Sequence, residues 1–599
     1  MRLSRSNQRG LPGHPAVPHI TWRMMLGLRR TLGVLFGYIA ISVAYFGWHL
    51  LSHPGRPLIG ASGSEDPEKF VWWFAWWPHA IFSGTNPFYS HAIFAPTGIN
   101  LVWTTSVPGL AFASSPVTLL FGPTVSYNVA ALLLPAISAW SAFLLFGYVT
   151  RSTWASIVGG YLYGFSSYAV AHQLGGHLNL TAAFVVPLVA LVVLRYLRND
   201  LNQRGLAVRL GVLVALQAYV STEVAVTLTM MLALALALAF AIVPGIRQRL
   251  LSSLRPILCG YAFAGVLASP LLYYGLSAGA PPSLTDASAF NADLLNLILP
   301  TSVSGLGGRR FAAVTAHFPG GLNEQNSYVG WPVLVILLLI LLRNRSIGNR
   351  FLLTAFGTAT LLSLGTGLHV EGHRLFWLPW SAVSRSAILN NVIPSRIALY
   401  ATLAAAALVA IWIATTTGRV FRRPYVLPTL AVAALVPAFW TNSFVQSPTR
   451  LSFFSDGLYK ACLPRSETLL IFPFGNTGSS MLWQAEAAFW FNMTEGDLGS
   501  HYPAGYLADP TINDLLREIH ATPSHPMSEF VALARRRRVD RVVSASTLGA
   551  VIPGTSELLA GPFPNGNQMR AFGPVQQVGD VFVSPACSSR PLTRNTLNR

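Results

Sequence analysis

Charge is what this sequence has least of. Of its 599 residues only 10% are Asp, Glu, Lys or Arg, while 52% are hydrophobic. A soluble domain would carry roughly a quarter charged residues. Acid is scarcer still, with 21 Asp and Glu against 40 Lys and Arg. Cysteine occurs at positions 259, 462 and 587 alone, and neither HExxH nor CxxC spacing occurs, so the common zinc signatures are missing. The compact glycine cluster Gly305-Leu306-Gly307-Gly308 is no Walker motif, which speaks against ATP-driven transport.

What is abundant is apolar chain. Runs near 20 residues recur from Thr31 to about Trp440, each long enough for a bilayer core. The fold class is therefore a polytopic α-helical membrane protein. About 11 transmembrane helices are expected, near 31–51, 125–149, 153–170, 179–198, 206–222, 224–243, 256–275, 329–342, 351–367, 397–416 and 425–440. The run after the basic residues 1–30 is too long for a signal h-region and no A-x-A pattern follows it, so it reads as a retained first span with a cytoplasmic N-terminus.

The net charge of +19 suggests nucleic acid at first sight. Its placement points elsewhere. Most arginines before residue 440 fall in short gaps between apolar runs, as cytoplasmic loops do. No nucleic-acid partner is expected. With the N-terminus inside, the acids sort the other way: of the nine before residue 440, Asp200 alone lies inside. The expected location is the inner (cytoplasmic) membrane, multi-pass, with polar chemistry outside in the loops 52–124, 274–330 and 368–396.

An odd number of spans puts the tail outside as well. Residues 455–590 alternate strand-like runs (TLLIFPF from Thr468, VDRVVS from Val539) with a helical pattern near Pro510, so a small α/β extracytoplasmic domain is expected. Cys462 and Cys587 lie near its ends in a compartment that permits a disulfide; the sequence leaves the bridge open. Arg535 to Arg538 either complement a helix C-terminus or contact anionic lipid or glycan.

The first outer loop carries GSEDPEKFVWWFAWWPHAI, Gly63 to Ile81. Phe70, Trp73, Trp77 and Ile81 share one helical face, which reads as an interfacial helix with tryptophans at head-group depth. Glu65, Asp66 and Glu68 would then stand just above the membrane, as a helix start with Asp66 at the N-cap or as a site. Further candidates lie on the same face: His172 and His177 around Gly175-Gly176, either a polar turn or phosphate or metal groups; Glu223, a carboxylate between two apolar runs; Glu324 in the loop 274–330; and Arg396 of PSR, either a phosphate clamp or a snorkelling side chain.

GSEDPEKF, GTNPF (84–88), APTGINLVW (95–103), GGHLNL, NEQNSYVG and IPSR before a span together resemble the C-type (GT-C) fold of polytopic membrane glycosyltransferases. The tail with LIFPFGNTGSSMLWQAEAAFWF is similar to the exported tails of uncharacterised bacterial branches. The resemblance implies inverting transfer of a sugar from a polyprenyl-phosphate donor to an envelope glycan, lipid or protein acceptor at the outer face. Asp66, or else Glu65, would match the catalytic base. Arg396, His177 and His172 would serve the phosphate, Glu223 would orient sugar hydroxyls, and Glu68 and Glu324 would join the substrate-binding set. Some relatives need a divalent cation and others do not, so a metal stays open. Two other classes compete: a flippase or exporter of a lipid-linked saccharide, and a non-catalytic envelope-assembly scaffold.

Overall fold

The computed structural model describes residues 20–61, 64, 66–277, 286–306, 308–343, 346–384, 386, 389–416, 425–440, 444–474, 479–499, 501–517, 527–546, 550–551, 558–559 and 564–588. Among these residues six helices are long and apolar enough to cross a membrane: Gly27–Leu50, Pro123–Thr150, Leu178–Leu197, Thr222–Ile242, Pro244–Leu267 and Pro394–Thr416. The other five expected segments are helical over shorter or less apolar stretches, namely Thr153–Gly164, Gln203–Val220, Trp331–Arg343, Ile347–Ser363 and Val426–Ala434. The last has nine residues. At 1.5 Å per residue that is about 14 Å, half a bilayer core, so 425–440 is not a single helical crossing.

Contacts, rather than a count of crossings, therefore fix the side on which the tail lies. Leu58–Ile59 of the first loop pairs antiparallel with Val445–Gln446, and Gly60 donates its N–H to the Phe444 carbonyl. The segment after Trp440 thus lies on the face that carries the first loop.

That loop is mostly structured. The helix Asp66–Phe82 has Asp66, Pro67 and Glu68 in its first turn, where carboxylates meet the positive end of the helix and proline loses no intrahelical bond. The expected head-group depth for its tryptophans is corrected: Trp72, Trp73, Trp76 and Trp77 are buried in protein. Part of their covering comes from residues about 400 positions away. The Trp72 indole donates to Gln484 Oε1 at 2.7 Å, stacks on Trp76, and both meet Phe489 edge-on. Trp76 and Trp77 donate to the carbonyls of Pro87 and Ser106. Each such indole removes about 200 Å² from water, roughly 5 kcal/mol as an upper bound. Protein contact also satisfies the N–H groups of Trp72, Trp76 and Trp77, which a lipid tail cannot do. The face left open to an apolar medium is instead on the helix Pro108–Phe121, where Phe112, Leu119, Leu120 and Phe121 are exposed.

After residue 450 the chain builds a five-stranded sheet. Thr468–Phe472 lies parallel to Asn492–Met493 on one side and to Arg541–Ala545 on the other. Val581–Ser584 and Gln576–Val578 then extend it antiparallel. Leu469, Leu470, Ile471, Val542 and Val543 are buried in one hydrophobic cluster with the tryptophans of the first loop. The sheet and that loop thus share a core. Cys462 and Cys587 form a disulfide that ties the two ends of this region. Arg535 and Arg536 occupy the last turn of the helix Met527–Arg536, with Arg536 bridged to Asp509 and Arg537 over the Tyr506 ring. Three of the four arginines are thus accounted for by the helix end and its neighbours.

Candidate active site

The site forms where the first turn of Asp66–Phe82 meets the histidine loop. Gly176, with φ +73, is the contact point: a Cβ there would lie 2.6 Å from the Pro67 ring. Only glycine lets His172 and His177 close onto the residue beside Asp66. The approach is pinned by Ala61 N–H to the Leu174 carbonyl and by the Ser64 hydroxyl to the Gly175 carbonyl.

Asp66 then has two partners. One carboxylate oxygen lies 3.2 Å from Lys69 Nζ, one helical turn on, and the other lies 3.0 Å from His177 Nε2. Burial alone would raise its carboxyl. The Lys69 ammonium and the His177 contact outweigh that and hold Asp66 well below the usual carboxylate range. Its side chain remains about a third exposed, at 34%. Asp66, Lys69, His177, Arg396, Trp73, Leu498 and Gly499 line one pocket of about 80 Å³.

Behind Asp66 runs a chain of hydrogen bonds. Asn326 Nδ2 lies 3.2 Å from His172 Nε2 and also donates to the Asn323 carbonyl, which fixes the orientation of the amide. His172 Nε2 is then an acceptor, and its proton sits on Nδ1, 3.0 Å from His177 Nδ1. His177 in turn keeps its proton on Nε2, facing Asp66. His172 is fully buried, and burial pushes it well below the ordinary histidine value, so it stays neutral.

Arg396 occupies the opposite wall. Its Nη2 lies 2.6 Å from Glu324 Oε1 and its Nη1 2.5 Å from Glu223 Oε2. The Ser395 hydroxyl adds a bond to Glu324, and the Ile393 N–H one to Glu223. Burial would raise Glu324, but Arg396 holds it low. The guanidinium expected as a phosphate clamp is largely engaged within the protein.

Of the residues singled out from sequence, Asp66, His177 and Arg396 line the pocket, with His172, Glu324 and Glu223 directly behind them. Glu68 turns away, bonding the Ser479 hydroxyl at 3.0 Å. Burial, with the charges of Asp497 and Glu486, pushes it up to about 7 against the bond from Ser479. Glu65 falls outside the described residues. Sequence reasoning passed over Lys69, although its spacing from Asp66 is the ordinary i,i+3 neighbour distance. It also passed over Asn326 as a partner of His172, and over Asp497, for which no local signal exists. His172, His177 and Glu324 bring ligand atoms within 4.8 Å of one another. Two imidazoles and a carboxylate suit a divalent transition ion. Such an ion would compete with Arg396 for Glu324.

The chain belongs to the family defined by DUF6311, a domain of unknown function, which matches residues 34–439. No curated protein matches it. Among solved structures, the arabinofuranosyltransferase AftD from Mycobacteria aligns with 87% of this chain at TM-score 0.51 and 12% identity. The chain spans 35% of that protein. The oligosaccharyltransferase AglB from Archaeoglobus fulgidus, in complex with an inhibitory peptide and a dolichol-phosphate, aligns at TM-score 0.48 and 13% identity, over 86% of this chain and 69% of that one. ArnT from Cupriavidus metallidurans aligns at TM-score 0.36 and 12% identity, over 88% and 94%. The fold is that of the C-type membrane glycosyltransferases.

Proposed function

We propose that this protein is a membrane glycosyltransferase that moves a sugar from a polyprenyl-phosphate donor to an envelope glycan, lipid or protein acceptor, at the outer face and with inversion. The observation that carries the reading is the pocket in which Asp66 is partly exposed beside Lys69, His177 and Arg396. In this reading the chain is multi-pass in the inner membrane, the N-terminus is cytoplasmic, and the tail lies outside with the first loop.

The acceptor hydroxyl attacks the anomeric carbon from the face opposite the phosphate. Its proton passes to the Asp66 carboxylate as the new C–O bond forms and the bond to phosphate oxygen breaks. The departing polyprenyl phosphate takes the electron pair, and the Lys69 ammonium offsets its charge, with His177 Nε2–H available as a hydrogen-bond donor. A carboxylate as acidic as the resting Asp66 is a weak base. An anionic donor entering the pocket draws Lys69 toward itself, weakens the pull on Asp66 and raises its proton affinity toward the useful range. The polyprenyl chain fits the apolar cavity of about 700 Å³ that runs from Tyr400, one helical turn past Arg396, to Thr415. A divalent ion, if bound by His172, His177 and Glu324, would supply further positive charge near the phosphate; no step above depends on it.

The test is label transfer in membranes carrying wild type or Asp66→Asn, supplied with a panel of polyprenyl-phosphate sugars. Transfer by wild type and a loss of at least a hundredfold in the variant is the expected result. Equal transfer by both would remove Asp66 as base. A Cys at position 66 labelled from the cytoplasmic side alone would remove the outer-face reading.

A further inference from the structure

Among its 40 basic residues this chain uses lysine twice, at Lys69 and Lys460. Lys460 is exposed. Lys69 is 12% exposed, and its ammonium lies between two carboxylates: Asp66 Oδ1 at 3.2 Å, from its own helix, and Asp497 Oδ2 at 3.0 Å, from the segment that follows the strand Asn492–Met493. Asp497 is itself buried, and its two successors Leu498 and Gly499 form part of the pocket wall around Asp66.

The segment is held in that place by more than the ion pair. Met493 N–H donates to the Ala92 carbonyl, Ala95 N–H to Met493, and Phe94 N–H to Glu495, so it is stitched to the first loop on its other side. A Cβ on Gly496 would lie 2.9 Å from the Phe94 ring, which leaves little room for Asp497 to shift.

We propose that Asp497 is a positioning residue of the transfer site: it holds the Lys69 ammonium at the pocket wall, shared between the tail and Asp66. The inference rests on the transferase reading for its purpose but not for its geometry. Paired with Asp66 alone, Lys69 would fold down onto that carboxylate as an ordinary i,i+3 pair. Drawn toward Asp497, it stays extended beside the pocket, where it can meet an anionic group without leaving the protein. A compact ammonium on a flexible stem suits that shared position better than a guanidinium, which would be fixed by its own fork geometry. Asp497 needs no contact with substrate. The tail that supplies it is then a component of the site and not an appendage.

Because lysine is so rare here, the proposal can be read without an activity assay. In the full-length wild-type protein, carbodiimide coupling should yield a zero-length Lys69–Asp497 crosslink, detected by mass spectrometry. Limiting acylation with N-hydroxysuccinimide acetate should then show Lys69 about tenfold more reactive, relative to Lys460, in Asp497→Asn. Asp497→Glu should restore the protection. Where wild type transfers label, Asp497→Asn should lower kcat about tenfold at little-changed donor KM, with recovery in Asp497→Glu. Absence of the crosslink in wild type, or Lys69 reactivity unchanged in Asp497→Asn, overturns the proposal. Wild type that transfers from no donor would count against the transferase reading, while the crosslink and acylation would still decide the role of Asp497.

Discussion

Two cations face one pocket, each between two carboxylates, and they differ in what they can give up. Arg396 is bound by Glu223 and Glu324 through bonds of 2.5–3.2 Å, with Ser395 and the Ile393 N–H completing the set. Those groups come from the start of the helix Thr222–Ile242, the turn Leu322–Glu324 and the turn Pro394–Ile397. A guanidinium engaged in this way is a joint between elements. Lys69 joins the first loop to the tail, and one of its partners, Asp66, stays partly open to the pocket. The difference separates a charge cluster that holds the fold from one that is available for chemistry.

Removing the joint should have the largest effect. Arg396→Met leaves the buried Glu324 and the half-buried Glu223 without their cation, a loss of about 3–5 kcal/mol. Thermal melting and size exclusion in detergent should show an unstable or aggregated protein, and Arg396→Lys should recover only part of the loss because an ammonium cannot reproduce the fork. Normal melting of Arg396→Met would erase the contrast with Lys69.

A fifth carboxylate sharpens the comparison by having no ion-pair partner among the described residues. Glu495 is fully buried, and burial pushes it up to about 8 against the bonds it accepts from Ile471 N–H and Thr494. A carboxyl raised in the folded state contributes stability that is complete below the unfolded value and lost as pH rises through the folded one. Between about pH 4.5 and 8 the wild type should therefore lose stability that Glu495→Gln keeps. Melting curves at pH 5 and pH 9 should show the variant gaining on wild type only at the higher pH.

The smallest effect concerns the shared core. Trp72→Phe keeps most of the apolar area but strands Gln484 Oε1, a cost of about 1–3 kcal/mol. Gln484→Ala should not add a further full cost if the two side chains act as a pair; a double-mutant cycle measures it.

Much of this arrangement is legible in the chain. Apolar runs locate the helical segments, and the rarity of acid directs attention to Asp66, His177, Glu324 and Arg396, which the fold brings together. The remainder depends on what lies opposite. A stripe of indoles fits a head-group layer and a protein core equally well, and the partner that decides, Gln484, lies 412 positions from Trp72. Nothing local marks Lys69, because Asp497 is equally remote. Apolar length could not separate a crossing from the nine-residue helix Val426–Ala434, since the residues after it are apolar but not helical.

The central claim is that Asp66 works and Glu324 holds. It is tested most directly by measuring label transfer and melting temperature side by side for Asp66→Asn and Glu324→Gln. A crossed result is expected: Asp66→Asn abolishes transfer with only a small loss of melting temperature, whereas Glu324→Gln lowers the melting temperature by several degrees. Transfer surviving in Asp66→Asn, or both variants losing stability alike, would contradict it.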